Sequence, residues 1–259
     1  MSRAEPAPLA ATEGVVASEG WAVLHLFFRV RGPRDEPVDA EEAAAVLDAF
    51  CAEDPYQALP FAVVGQRADV GLVLLGPDLA RLQRAHRELL ATPLGQRLEP
   101  VGELGFVSLT EASEYLPADG GERAEAMREA RMYPRLRDSK LVCFYPMSKR
   151  RDGEDNWYAL PFERRKELMG GHAAVGRRFA GRVTQMITGA FGLSDWEWGV
   201  TLLADDPKDL KDVVYEMRFD EVSARYAEFG PFTVGLRAPL REALALAGLG
   251  PHGGSRLPP

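Results

Sequence analysis

Residues 140–147, KLVCFYPM, set β-branched, aromatic and apolar side chains side by side as a strand does, and residues 232–236, FTVGL, do so again. Between them, apolar positions at spacings of three and four predict helices from Phe162 to Phe179 and from Pro207 to Phe229. Two further strands are predicted around Val183 to Ile187 and Glu197 to Leu203, each bounded by turn residues. The order is βαββαβ. Upstream the same order returns. A strand from Trp21 to Val30 precedes a helix from Val38 to Cys51, strands around Phe61 to Val64 and Val70 to Leu75, a helix from Pro77 to Leu90 and a strand from Gly105 to Leu109.

Two βαββαβ units match the ferredoxin-like supersecondary pattern, and their antiparallel sheets placed together would make a barrel-like core with helices outside, an α+β fold. The expected organisation is a disordered tail over 1–18, a first repeat over 19–115, a linker over 116–138, a second repeat over 139–240 and a tail over 241–259. The Pro, Ala and Gly-rich ends offer little apolar periodicity with which to offset the entropy of ordering.

A formal net charge of -8 argues against broad binding to nucleic acid or anionic membranes. Two cysteines without a CxxC pair indicate neither a disulfide framework nor a cysteine-rich zinc site, and suit a reducing compartment. The opening residues lack a continuous apolar core of signal-peptide type, and no later stretch is apolar for long enough to span a bilayer. A cytoplasmic protein is expected.

Against this acidic background, Arg128, Arg131, Arg135, Arg137, Lys140, Lys149, Arg150 and Arg151 face only Glu129 and Asp138. Such a run is either a solvated surface or a seat for a polyanion, because arginine forks hold carboxylates in a fixed geometry. His172 falls on the stripe Leu168, His172, Val175, Phe179, as either a hydrogen-bonded core residue or a ligand. Gly170, Gly171 and Gly176 beside it would let a flat ring approach the helix. No HExxH motif or second histidine at metal spacing accompanies it, although one axial histidine suffices for haem iron. His25, in AVLHLFF, and His86 read as structural or surface residues. On the predicted strand Tyr145 and Met147 share a face, with Lys149 at or beyond its end, and Pro146 suggests an edge strand or a bulge.

The blocks YPMSKRR (145–151), NWYALP (156–161), LMGGHAAVGRR (168–178), GRVTQMITGAFG (181–192), DWEWGVTL (195–202) and VYEMRFDEVSARYAEFG (214–230) resemble the chlorite dismutase superfamily, and within it the coproheme decarboxylase branch. The resemblance covers the second half by motif and the first by repeat architecture. It implies a homopentamer whose subunits bind porphyrin in their second half. It also implies that His172 is the proximal iron ligand, Tyr145 the radical-forming residue beside the reactive propionates, and Gln185 the distal residue where chlorite-decomposing relatives carry arginine.

The implied substrate, iron-coproporphyrin III, also serves as its own cofactor, and haem b is the product. Its four propionates call for extra anchors, which suits Arg131, Lys149, Arg218 and Ser223. Met147 would pack against the macrocycle and Lys149 would position or protonate a carboxylate. Removing hydrogen from a propionate β-carbon is too hard for acid–base side chains but accessible to a tyrosyl radical formed with hydrogen peroxide. Two such steps would turn two propionates into vinyls. The ferrochelatase that supplies coproheme is an expected transient partner. A non-enzymatic haem carrier or sensor would need His172 but not Tyr145, and a chlorite dismutase would release oxygen from chlorite.

Overall fold

The computed structural model describes residues 14–33, 39–115 and 121–249. Its first half runs β1 (Ala22–Val30), α1 (Glu41–Cys51), β2 (Gln57–Val63), β3 (Val70–Gly76), α2 (Leu79–Ala91), β4 (Leu98–Pro100) and β5 (Phe106–Thr110), followed by α3 (Gly121–Met132). The second half runs β6 (Leu141–Lys149), α4 (Phe162–Arg177), β7 (Val183–Gly189), β8 (Trp198–Ala204), α5 (Pro207–Met217), α6 (Glu221–Tyr226), β9 (Ala227–Phe229) and β10 (Thr233–Arg237), and α7 (Leu240–Leu246) follows. Local chemistry sets several helix starts. Asp78 and Asp206 lie in extended conformation and accept from the backbone N–H of Ala80 and Lys208, and Pro207 takes the first position of α5.

In each half the strands lie in the order second, third, first, fourth, as β2-β3-β1-β5 and β7-β8-β6-β10. β5 then pairs with β7, and β10 with β2, so the fourth strand of each half joins the second strand of the other and the α+β sheet closes into a ring. Closure is uneven, because the β5–β7 seam consists of two residue pairs and the β10–β2 seam of three. Inside the ring, Val23, Phe27, Leu59, Phe61, Phe106, Val142, Phe144 and Leu203 form one apolar core drawn from both halves. Gly71 and Gly235 make room for Phe61, since a Cβ on either would fall within 2.2 Å of its ring.

His25 lies inside this core, fully buried. Its Nε2 is 2.8 Å from Thr201 Oγ1 on β8, and its ring stacks on Phe144 with 4.0 Å between centroids. This agrees with a structural role.

Outside the ring, α1, α2 and α7 cover the first half through Leu47, Phe50, Leu82, Leu89, Leu240 and Leu244. Over the second half, Leu210 and Val213 of α5 pack on Leu141, Cys143 and Leu202. α4 is different. It packs on α5 and α6 rather than on the sheet, and Leu168 is its one buried residue.

Several expectations are corrected. The segment read as a linker carries α3, and the segment read as a tail begins with α7, which is anchored by Leu240 and Leu244. The long helix expected from Pro207 to Phe229 is instead α5, α6 and the strand β9. β6 continues through Lys149, and it is neither an edge strand nor bulged at Pro146. Pro146 falls where the β10 pairing has ended at Phe144 and the β9 pairing has not yet begun at Met147, so its missing N–H costs no ladder bond on that side. Expectations for residues 1–13, 34–38, 116–120 and 250–259 lie outside the described residues. Among the described residues no helix is long and apolar enough to cross a membrane.

Candidate functional site

The face of the second half that looks toward α4 is set by strand register. Tyr145 pairs with Val200, which pairs with Ile187, and one step along Met147 pairs with Trp198, which pairs with Gly189. Cys143, Leu202 and Gln185 form the row on the other side. Because side chains alternate, Cys143, Tyr145, Met147 and Lys149 share one face of β6, together with Gln185 and Ile187 of β7. Ile187 is 43% exposed on this face, an apolar side chain that the protein itself leaves uncovered.

Across the gap stands His172, half-buried on α4. Its Nδ1 is 3.0 Å from Oδ2 of Asp220, so Nε2 is the nitrogen left for a metal. Asp220 is held from below. It is the N-cap of α6, where Oδ1 accepts from the N–H groups of Val222 and Ser223. Burial alone would raise the Asp220 carboxyl, but the bonds from His172 and Ser223 outweigh it and hold the group below the usual carboxylate range. Among the described residues no cluster of three or more His, Cys, Asp or Glu could hold a bare metal ion. A lone, carboxylate-tethered imidazole suits a metal whose other ligands come from a macrocycle.

One turn on from His172, Gly176 faces the sheet. A Cβ there would lie 3.5 Å from Gln185 Nε2 and 3.1 Å from Met217 Cε. Gln185 therefore reaches across the gap to α4. Both neighbours are ends of flexible side chains that a flat ligand could push aside.

Tyr145 is buried, stacked on Phe232 at 4.2 Å between centroids and near Phe229. Burial pushes its phenol well above the ordinary tyrosine range, and Arg218 opposes that shift through its charge. Arg218, the C-cap of α5, lies over the Phe229 ring at 3.6 Å. Lys149 is 8% exposed, with Nζ 4.6 Å from the centre of the Trp157 ring, and burial lowers its pKa to about 8 despite the nearby Asp220 and Glu197 carboxylates. The Lys149 backbone N–H donates to Glu197 Oε2 at 2.7 Å, which fixes the end of β6.

Of the sequence-predicted residues, Tyr145, Met147, Lys149 and Gln185 thus lie on one sheet face, Arg218 covers the Phe229 ring beside Tyr145, and His172 and Ser223 meet at Asp220. Arg131 is exposed in the last turn of α3 and in no ion pair among the described residues. Sequence reasoning missed Asp220, Glu197 and the aromatic pair Phe229 and Phe232. Asp220 is of a residue type that caps helices and is followed by the acidic Glu221, but the apolar spacing runs on unbroken on both sides of it and hides the start of α6.

The family profile described as chlorite dismutase matches residues 38–238. The structure is similar to that of a heme-binding protein from Thermus thermophilus, at 41% identity and a TM-score of 0.77, over 89% of this chain and 96% of that one. It also resembles a variant of chlorite dismutase from Candidatus Nitrospira defluvii, at 18% identity and a TM-score of 0.72, over 90% of this chain and 97% of that one. The same enzyme in complex with imidazole gives 18% identity and a TM-score of 0.71, again over 90% and 97%.

Proposed function

The chain belongs to the chlorite dismutase family, and from that premise we propose that it converts iron-coproporphyrin III to haem b by decarboxylating two propionates with hydrogen peroxide. The observation that carries this reading is the pairing of Tyr145 with Arg218. A buried, aromatic-stacked phenol lies beside a guanidinium, on the sheet face opposite a carboxylate-tethered histidine. A carrier needs the histidine but has no use for that tyrosine.

The iron porphyrin, as substrate, would supply the redox-active centre at which peroxide is consumed. His172 binds through Nε2 while Asp220 orients its ring. Arg218 and the Ser223 hydroxyl hold propionates, and Lys149 adds a cation at the end of the row. Tyr145, having given an electron and its phenolic proton to one oxidising equivalent of the peroxide, takes a hydrogen atom from a propionate β-carbon, and the second equivalent accepts one further electron as carbon dioxide leaves and a vinyl group forms. Met147 and Ile187 offer apolar contact to the macrocycle. Gln185 swings off Gly176 and presents a neutral amide to the open side, without the fixed charge that would stabilise an anionic chlorite species. Arg131 adds a further anchor for a propionate. A cytoplasmic homopentamer supplied by a ferrochelatase is part of the same reading.

The test is peroxide titration of the protein loaded with iron-coproporphyrin, followed by mass spectrometry. The expected result is two successive losses of carbon dioxide in the wild type, and none in Tyr145→Phe although it still binds porphyrin. Four intact propionates in the wild type would make it a carrier. Oxygen released from chlorite would make it a dismutase.

A further inference from the structure

Behind Lys149 lies a set of aromatic residues to which the proposed reaction gives no task. Trp157 is 2% exposed, touches Tyr226 at 5.5 Å between centroids, and packs with Leu168, one turn before His172 on α4. Tyr115 packs against the same cluster, and its ring stacks on Phe162 at 5.8 Å. Tyr158 follows Trp157 directly in the chain and is 40% exposed. The series therefore runs from the wall of the gap to solvent.

Tyr158 has a base. Its Oη donates to Glu197 Oε2 at 2.7 Å, while Glu114 neighbours Tyr115 in the chain. This matters because a tyrosine gives up an electron at accessible potential only if its proton has somewhere to go. Both phenols are held above their ordinary range, first by burial and then by these carboxylates, so they start protonated. No carboxylate is hydrogen-bonded to Tyr145 among the described residues.

Resting on the decarboxylase reading, we infer that Trp157, Tyr115 and Tyr158 form an exit path that carries stray oxidising equivalents from the porphyrin gap to the surface. When peroxide is consumed without a propionate hydrogen in reach, Tyr158 loses one electron and passes its phenolic proton to Glu197. The electron moves through Tyr115 and Trp157 and quenches the oxidising equivalent in the gap. A soluble one-electron reductant of the ascorbate class then reduces the Tyr158 phenoxyl as the proton returns from Glu197. Without this route the equivalent would stay on buried side chains, where oxidation is destructive.

The experiment treats iron-porphyrin-loaded protein with excess peroxide in the presence of a nitroso spin trap, and maps adducts and oxidised residues by peptide mass spectrometry. The wild type, Tyr158→Phe and the double variant Tyr115→Phe/Tyr158→Phe are compared, with equal thermal unfolding as the check on folding. The trap is expected on Tyr158 in the wild type and on Tyr115 in Tyr158→Phe. In the double variant, oxidised Trp157 should rise severalfold and inactivation by peroxide should accelerate, while the initial decarboxylation rate stays unchanged. Labelling of Tyr145 without Tyr158, or equal Trp157 oxidation in all three proteins, overturns the path and leaves the decarboxylase reading standing. If no residue is labelled and no propionate is lost, both fall.

Discussion

Nδ1 of His172 lies 3.0 Å from Oδ2 of Asp220, and the same carboxylate caps α6 through its other oxygen, so one aspartate orients the candidate metal ligand and starts a helix. Asp220→Ala should therefore fail in two measurable ways. Loss of the cap should cost about 1 kcal/mol in a chemical denaturation curve of the ligand-free protein. Loss of the imidazole's partner should weaken iron-porphyrin affinity by roughly 10–100-fold in a Soret titration. Unchanged affinity would mean that His172 does not bind iron through Nε2.

Lys149 gives a prediction on the alkaline side. Its folded pKa of about 8 lies below the ordinary lysine value of 10.5, so the unfolded chain binds the proton more tightly between those limits. The burial penalty is therefore fully present below pH 8 and is relieved as pH rises toward 10.5, with a total on the order of 3 kcal/mol. Lys149→Met should stabilise the ligand-free protein at pH 7 and make little difference near pH 10.5. On the proposed reading the order reverses in binding, since a cation that is lost near pH 8 would no longer anchor a propionate. kcat/KM should fall above pH 8 in the wild type, and this alkaline limb should shift in Lys149→Arg.

His25 governs the acid side. Complete burial lowers its pKa from 6.5 to about 3, so between those values the unfolded state binds a proton that the folded state refuses. Its contribution is intact above pH 6.5 and is lost as pH falls toward 3, at about 1.4 kcal/mol per pH unit. Denaturation midpoints measured from pH 7 to pH 4 should fall less steeply in His25→Phe than in the wild type. Parallel curves would refute the assignment.

Gly176 tests where the macrocycle enters. An alanine methyl there would meet only the mobile ends of Met217 and Gln185, and alanine favours a helix by about 1 kcal/mol over glycine. Gly176→Ala should leave the ligand-free protein equally or more stable while weakening porphyrin binding. At Gly171 an added Cβ would meet nothing within 4 Å, so Gly171→Ala serves as the comparison for helix propensity alone.

The ring was legible because its strands carry their own signals. VGLVLLG and LVCFYPM are long, branched and aromatic, and their repetition predicts the same strand order twice. The break at Arg218 to Asp220 was not legible, since VYEMRFDEVSARYAEF keeps a helical spacing of apolar residues without glycine or proline. What ends the helix is the Asp220 carboxylate, which competes for the N–H groups of Val222 and Ser223. α3 buries only Met132, so GERAEAMREARM carries no apolar stripe to mark it as a helix, although it is rich in strong helix formers. Tyr145, His172 and Gln185 could be singled out by motif, but the partners Asp220 and Glu197 lie 48 residues from His172 and Lys149, and only the fold brings them together.

Closing the sheet by exchanging partner strands between halves has a cost for partial chains. A fragment ending before β6 would leave β2 and β5 as bare edges, with their backbone donors and acceptors open to any other strand, and a fragment beginning at β6 would leave β7 and β10 in the same condition. Nascent or proteolysed halves should therefore aggregate or be degraded rather than persist as half-sites. On the proposed reading, a cell would then seldom hold a truncated copy able to sequester porphyrin that it could not process.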